Sequence, residues 1–484
     1  MHPSRIFFYA CIGFAAGIMA GSFGVFPERL ALGIFISGAI GLATTTFRTT
    51  PWILMLAVLG FCLGVVRATD ARAQWQTQRT QFIAIANLKP DEIAAVVTRR
   101  ERLKNSMLYR IEVSDSASWS FRGSAYDVFR IGTTIRIDSP SFDTDPANES
   151  FLRRDNVAGT VIFPNAVTET GVDRGMRHAF WEALARARES FERHLRLALP
   201  EPHASLAAGY LLGSRAGLPD GLKDAFARTG LSHIVAVSGY NISVMITAVA
   251  TILGLFLLSR AGTFWITSAC IILFALFTGA AASVVRASVM GFLVILAQKE
   301  SRMYSGRVAL AFAGAAMLMV HPQILRYDLG FVLSFLATMG LFLIYPPLAD
   351  RAHRWPKLFG IKNIILQTLS AQLFVLPVLT VVFAGASTVF ILANVVTLPF
   401  IPSVMLFSFL GAMGGFAHDV LGRIIAAPAY AIMAFQIAAI SFLAAIPHAT
   451  LPIASETLRW GLGGVAAACA ARLAWKLRKN IPSS

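Results

Sequence analysis

Several long stretches of this chain carry almost no charge, and this feature limits what it can fold into more than any other. Residues 6–22, 53–66, 234–258 and 264–277 are each nearly free of Asp, Glu, Lys and Arg. They are apolar all round rather than along one stripe. Hydrocarbon offers a peptide group no water to bond with, so a run that enters lipid has to close its hydrogen bonds within itself, as a helix. Composition agrees. Of 484 residues, 56% are hydrophobic and 14% charged, and the mean hydropathy is +0.63. A soluble domain of this size needs more charge to cover its surface.

Three apolar segments open the chain, near 6–24, 30–47 and 52–68, and the first reads as a retained helix rather than a cleaved leader. Further segments follow near 233–258, 263–281, 284–298, 307–320, 329–346, 363–383, 388–411, 427–446 and 457–475. The expected architecture is therefore a polytopic α-helical membrane protein of about 12 transmembrane helices. Short segments, 284–298 above all, are candidates for broken or re-entrant helices. With the N-terminus inside, the inner loops collect Arg48, Arg260, Lys299, Arg302, Arg307, Arg351, Arg354, Lys357, Lys362 and Arg423. Arg472, Lys476, Arg478 and Lys479 follow at the tail. The opposite connections, around Pro27, Gly385 and Pro447, are nearly free of basic residues, with Arg29 and Arg326 as exceptions. This predicts that both termini are cytoplasmic. The same bias gives an ordinary source for the net charge of +16, so charge by itself does not signal nucleic acid.

The polar stretch after the third segment then faces outward. Strand-like runs at 92–98, 107–113, 119–129, 134–138 and 158–163 alternate with turn signals such as Lys104-Asn105-Ser106 and Ile131-Gly132. Five short strands without a long helix predict an extracytoplasmic β-barrel, OB-fold-like, over 70–175. Cys11, Cys62, Cys270 and Cys469 all lie outside it, so it folds without disulfides. No cysteine pair has metal-ligand spacing, and neither metal nor cofactor is expected. Acidic and basic residues are equal in number over 70–175. Two readings of the barrel stay open. Tyr109, Trp119, Phe121 and Tyr126 can stack bases while Arg99, Arg100, Arg102, Lys104 and Arg110 follow phosphates; or the rings pack the barrel and the charges solvate it. Over 176–200, Phe180, Trp181, Leu184, Phe191, Leu195 and Leu199 recur at helical spacing among arginines, which predicts an amphipathic interfacial helix.

Residues 201–484 hold the candidate chemistry. Polar groups inside lipid-facing runs are costly and tend to line a path, pair or act. The densest group is Thr229-Gly230-Leu231-Ser232-His233-Ile234-Val235-Ala236-Val237-Ser238-Gly239-Tyr240-Asn241, where Ser238 and Gly239 allow a broken helix. Ser283, Arg286 and Ser288 follow, then Asp328 with Ser334, Gln367 with Gln372, Asn394 with Pro399 and Pro402, and His418 with Asp419. Arg286 lies far from the nearest cytoplasmic charge, Lys299. It either meets a pore or a partner such as Asp328, or sits at the outer interface. For Gln367, Gln372 and Asn394, interhelical hydrogen bonding is the default. Ala236-Val237-Ser238-Gly239 also approaches the Gly-x-Ser-Gly of intramembrane serine proteases, with His233, His321 or His418 as a base. A small packing serine explains it more simply, so no enzyme is expected.

Taken in order, these motifs resemble the ComEC competence proteins, inner-membrane channels for single-stranded DNA in natural transformation. The resemblance rests on Leu211-Leu212-Gly213, on Thr229 to His233 running into Ala236-Val237-Ser238-Gly239, and on Val285-Arg286-Ala287-Ser288-Val289-Met290. It continues through Asp328-Leu329-Gly330-Phe331 with Leu333-Ser334-Phe335-Leu336-Ala337, Pro377 with Phe383, and Asn394 with Pro399. Phe151-Leu152-Arg153-Arg154 leading into Gly159 extends it weakly into the barrel. It implies translocation of single-stranded DNA, with His233, Ser238, Gly239, Asn241, Arg286, Ser288, Asp328, Ser334, Gln372 and Asn394 along the path. It also implies as partners the lipid bilayer, a DNA receptor outside, a motor, helicase or single-strand-binding protein inside, and a separate nuclease; a homo-oligomer stays open. Two departures stand out: Tyr240-Asn241 replaces the Leu-His of many members, and no His-x-His-x-Asp-His nuclease motif occurs. No G-x-x-x-x-G-K-S/T signature predicts ATP hydrolysis. A transporter of another solute or of a lipid-linked substrate is the alternative.

Overall fold

The computed structural model describes residues 3–24, 49–103, 106–113, 117–124, 128–162, 166–172, 175–214, 216–235, 237–256, 259–354, 360–383, 385–453 and 455–479. The apolar segment at 30–47, Pro27, Arg29, Arg48, Lys104, Asn105, Tyr126, Phe163, Ala236 and Lys357 lie outside them. The chain divides into two compact units. One joins Met1–Ser190 to Ala311–Leu329, the other joins Phe191–Leu310 to Gly330–Ser484.

The first unit starts from two helices, Pro3–Phe23 and Thr49–Leu88. Small residues let them touch backbone to backbone. A methyl group at Gly13 would strike the carbonyl oxygen of Ala57, at Gly17 that of Phe61, at Gly60 that of Ala10 and at Gly64 that of Phe14. Glycines four apart on both helices therefore face each other, the arrangement that gives close packing where lipid supplies no hydrophobic drive. Thr49–Leu88 is 40 residues long, about 60 Å at 1.5 Å per residue, far more than a bilayer needs. The sequence reading ends this helix near residue 68. In the structure its polar second half continues as a stalk, because Trp75, Arg79, Phe82 and Ala86 fall on one face and are buried. Phe82 lies in the core of the sheet, Trp75 packs against Leu152 and Val157, and Arg79 donates to the Ala158 carbonyl at 3.0 Å.

That sheet has seven strands: β1 Glu92–Arg102, β2 Ser106–Val113, β3 Ala117–Ser124, β4 Thr133–Asp138, β5 Ser141–Asp143, β6 Thr160–Ile162 and β7 Ala166–Val172. Their order is β5-β6-β3-β2-β1-β4-β7, antiparallel except for β3 with β6. Strands β5 and β7 are edges, so the sheet stays open, and the expected closed OB-like barrel is corrected. Two strands were also missed: β5 has three residues, and β7 is polar and mostly exposed. Alternation in β1, β2 and β4 turns Val97, Tyr109, Ile111, Ile135 and Ile137 inward. Phe82 of the stalk completes the core, its ring edge-on to Trp119 at 5.0 Å. Gly159 leaves the room this needs, since any side chain there would collide with the Phe82 ring.

In the whole chain, seven spans among the described residues are long and apolar enough to cross a membrane: Ile6–Phe23, Arg260–Phe277, Ala282–Lys299, Leu329–Arg351, Ile361–Val382, Phe390–Ala417 and Asp419–Ala445. Gly239–Leu255 and Gly306–Val320 are apolar but shorter. Among the described residues, seven of the roughly 12 expected segments meet this length and composition. Glu456–Lys479 is helical, as expected, but mixed in composition. The candidate for a broken or re-entrant helix at 284–298 is a continuous helix, Ala282–Lys299. Breaks occur instead at Leu398–Phe400, where Pro399 and Pro402 remove amide donors and the chain tightens to a 3-10 turn, and before Gly239. A two-stranded clasp, β8 Gly385–Ser387 with β9 Thr450–Pro452, ties two loops of the second unit.

The helix contact is testable. Gly17→Leu should lower stability by about 1–3 kcal/mol, the usual cost of overpacking, read as an earlier melting midpoint of the detergent-solubilised chain. A midpoint equal to the parent's would contradict a backbone contact at that position.

Candidate functional site

The site in the second unit grows from the break before Gly239–Leu255. The short helix Ser232–Val235 ends, Ser238 is extended, and the long helix starts at Gly239. Two neighbours hold this break. The Ser283 hydroxyl donates to the Val237 carbonyl at 2.9 Å. Ser283 and Arg286 are three apart on Ala282–Lys299, so they share a face, and the Arg286 guanidinium reaches the same break. A Cβ built on Gly239 would stand 3.0 Å from Arg286 Nη2.

Arg286 is only 8% exposed. Its Nε donates to Ser334 Oγ at 2.7 Å and its Nη1 to Thr338 Oγ1 at 2.6 Å. Thr338 Oγ1 in turn donates to the Ser334 carbonyl at 2.9 Å, which leaves its lone pairs for the guanidinium. No carboxylate forms an ion pair with Arg286 among the described residues. The sequence reading offered Asp328 as partner; the structure supplies two hydroxyls. An arginine in mid-membrane costs about 2.5–3.5 kcal/mol on insertion scales, and hydrogen bonds to a charged group return about 1.5–3 kcal/mol each. Two hydroxyls can therefore hold the side chain in place, but they leave its charge uncancelled.

A second chain of polar groups leads away from the break. Ser238 Oγ donates to Asn241 Oδ1 at 3.1 Å, and Asn241 Nδ2 donates to the Tyr210 carbonyl at 2.8 Å. Gln436 Nε2 donates to the Thr397 carbonyl at 3.1 Å, beside a long contact of 3.5 Å from Tyr210 OH to Gln436 Oε1. Asn241 thus uses one donor and one acceptor, the pair a neutral imidazole would offer at the position where the resemblance expects histidine. Ser238 meets an amide oxygen, which cannot take up its proton, and His233 turns its Nδ1 to the Gly230 carbonyl at 3.1 Å.

The structure therefore gathers Ser238, Gly239, Asn241, Arg286 and Ser334, and adds Tyr210, Ser283, Thr338 and Gln436. Thr338 was within reach of the sequence, four residues after Ser334 on one helix face. The other path candidates stand apart. Ser288 is buried, its hydroxyl without a partner among the described residues. Asn394 bonds to the Phe390 carbonyl of its own helix. Gln372 is half-buried and makes no hydrogen bond to a described residue. Asp328 belongs to the first unit, where its charge acts on Arg154 and His321.

In the first unit, Tyr109, Trp119 and Phe121 are 0%, 1% and 0% exposed. Their faces are covered, which matches the packing alternative rather than base stacking. Arg100 is taken up by Glu182 Oε2 at 3.0 Å and Glu189 Oε1 at 2.9 Å, fixing the helix Met176–Ala198 to the sheet; Arg99 is exposed. Arg153 lies over the Trp75 ring at 4.0 Å. His321 Nε2 meets the Arg154 carbonyl at 2.9 Å. Burial, helped by Arg110, holds the His321 imidazole below its ordinary proton affinity, against the raising effects of that hydrogen bond, Asp155 and Asp328.

A family model described as competence protein matches residues 210–478, more than half of the chain. The chain belongs to that family. It is also similar to ComE operon protein 3 of Bacillus subtilis (strain 168), 23% identical over 202 residues. That alignment takes in 42% of this chain and 25% of the relative, so it spans about a quarter of the relative's length. No solved structure matches. Every residue gathered around the break, from Tyr210 to Gln436, lies inside the family region, and the sheet lies before it.

Two outcomes follow from these contacts. Arg100→Ala removes one cation from the buried Glu182, which keeps the Ile131 N–H at 3.0 Å and Arg186 at 3.4 Å. It should cost about 1.5–3 kcal/mol, the range for a hydrogen bond to a charged group, measured by chemical unfolding; a loss below about 0.5 kcal/mol, as for a surface pair, would contradict it. The unfolded chain binds a proton at His321 before the folded chain does, so stability present above about pH 6.5 is lost as pH falls below it. Melting midpoints should fall on acidification, and less so in His321→Gln. Equal slopes would exclude His321.

Proposed function

We propose that this chain carries single-stranded DNA across the cytoplasmic membrane in natural transformation. Membership of the competence family supports the setting. The observation that carries the reading is Arg286, a buried cation inside a membrane-spanning helix, anchored by hydroxyls and without a carboxylate partner among the described residues. A polynucleotide brings one negative charge per nucleotide and cannot enter hydrocarbon unaided. It needs a polar route that binds weakly enough to release it. Ser238, Asn241, Arg286, Ser334 and Thr338 supply donors and acceptors of that kind within one unit.

In this reading the sheet domain lies outside the cytoplasm and both termini lie inside, as the loop arginines direct. A receptor hands DNA to the outer side, and a motor or strand-capturing protein draws it in. The sheet receives DNA only through exposed groups such as Arg99, since its aromatic rings are internal.

Deleting the gene should reduce transformants to background while labelled DNA still reaches the cell surface, and Arg286→Gln should reproduce much of that loss. Undiminished transformation in the deletion strain would end the proposal.

A further inference from the structure

Helices begin with amide groups that have no partner in the helix, and a side-chain cap commonly accepts from them. Ser238 stands at the cap position of Gly239–Leu255 yet makes no capping hydrogen bond, because its hydroxyl is turned to Asn241. Ala282–Lys299 also starts without a side-chain cap, at Ala281. The Ser283–Val237 hydrogen bond brings these two starts together. Both helix dipoles therefore present their positive ends at one place.

Arg286 adds a full charge there. Its Nε and Nη1 are used, but Nη2 has no hydrogen-bond partner among the described residues. That nitrogen stands against Gly239, where the lack of a side chain lets it approach: a Cβ there would lie 3.0 Å from it. The place is accessible as well: Ser238 and Gly239 are half-buried and Tyr240 is 44% exposed. Two uncapped helix starts and a buried guanidinium with a free N–H group form a receptor for an oxyanion, and no carboxylate among the described residues pairs with the guanidinium.

We infer that Val237-Ser238-Gly239 and Arg286 form a station for one phosphodiester group of a polynucleotide strand, read through its charge and not through its bases. The inference rests on the transport reading and deepens it. The hydroxyls of Ser334 and Thr338 act as positioning groups: they fix Nε and Nη1 so that Nη2 points at the incoming oxygen. A single contact of this kind holds a strand weakly and without sequence preference, as a passage requires.

The test uses the full chain in nanodiscs of neutral phosphatidylcholine, with fluorescent oligothymidylate as the probe. Wild type should bind it in a salt-dependent way and bind a methylphosphonate analogue, which lacks backbone charge, much less. Arg286→Gln should weaken oligothymidylate binding about tenfold or more, as expected for one lost charge-assisted hydrogen bond. It should also reduce the slope of log affinity against log salt by about 0.7. Gly239→Ala provides a second arm that keeps the arginine and its hydroxyl anchors; its methyl group narrows the approach to Nη2 and should weaken binding too. Discs containing phosphatidylglycerol separate lipid phosphate from DNA. If anionic lipid shifts the melting of wild type but not of Arg286→Gln, and DNA affinity is the same in both, the station belongs to lipid and the assignment falls. It falls equally if wild type does not bind the oligonucleotide, or if both variants bind it with unchanged affinity and slope. The deletion phenotype tests transport separately, and it can fail or hold whatever the binding assay gives.

Discussion

Hydrocarbon gives a peptide carbonyl nothing to bond with, and this one constraint explains both the continuous helices and the side chains found where they stop. At three interruptions a side chain supplies the missing donor. Ser283 bonds Val237, Asn241 bonds Tyr210 and Gln436 bonds Thr397. The first unit follows the same rule with stronger donors. Arg72 and Arg326 both reach the Ser22 carbonyl at the end of the first helix, and Arg67 takes the Met319 and Val320 carbonyls at 2.9 and 3.1 Å. Those guanidinium groups also meet the negative ends of the helix dipoles. Arg326, an exception to the loop-charge pattern, is thus spent on a helix end.

Arg286 is different from these. Its nitrogens go to hydroxyls rather than to freed carbonyls, and it stands at the positive ends of two helices rather than at a negative one. Structural economy would place a cation elsewhere. A positive charge held against the local dipoles is costly in an empty site and favourable once an anion arrives.

The helices were the legible part of the sequence, since charge-free runs leave few alternatives. Ser238 and Arg286 were legible too, as polar residues in the wrong solvent. What the sequence hid was pairing. Trp75 and Phe82 follow a helical period, but they sit in a polar stretch, and only what covers them explains them, Leu152 and Val157 for the first and the sheet core for the second. Strand β7 has no apolar alternation because it is an exposed edge. Tyr109, Trp119 and Phe121 read equally well as a binding face or as a core, and burial decides between them. Arg100 reads as a surface charge until Glu182 and Glu189 arrive from a helix some eighty residues later. The resemblance motif Phe151 to Gly159 acquires a physical reason: Leu152 and Arg153 pack on Trp75, and Gly159 makes way for Phe82.

The central claim is that the incoming strand passes the break at Val237-Ser238-Gly239. A photoreactive amino acid placed at Tyr240, exposed beside Gly239, tests it inside living cells during uptake of labelled DNA. The account predicts light-dependent adducts between the protein and single-stranded DNA, absent from a control position on the lipid-facing surface such as Phe442. Vigorous uptake with no adduct at Tyr240, or adducts equally strong at Phe442, would contradict it.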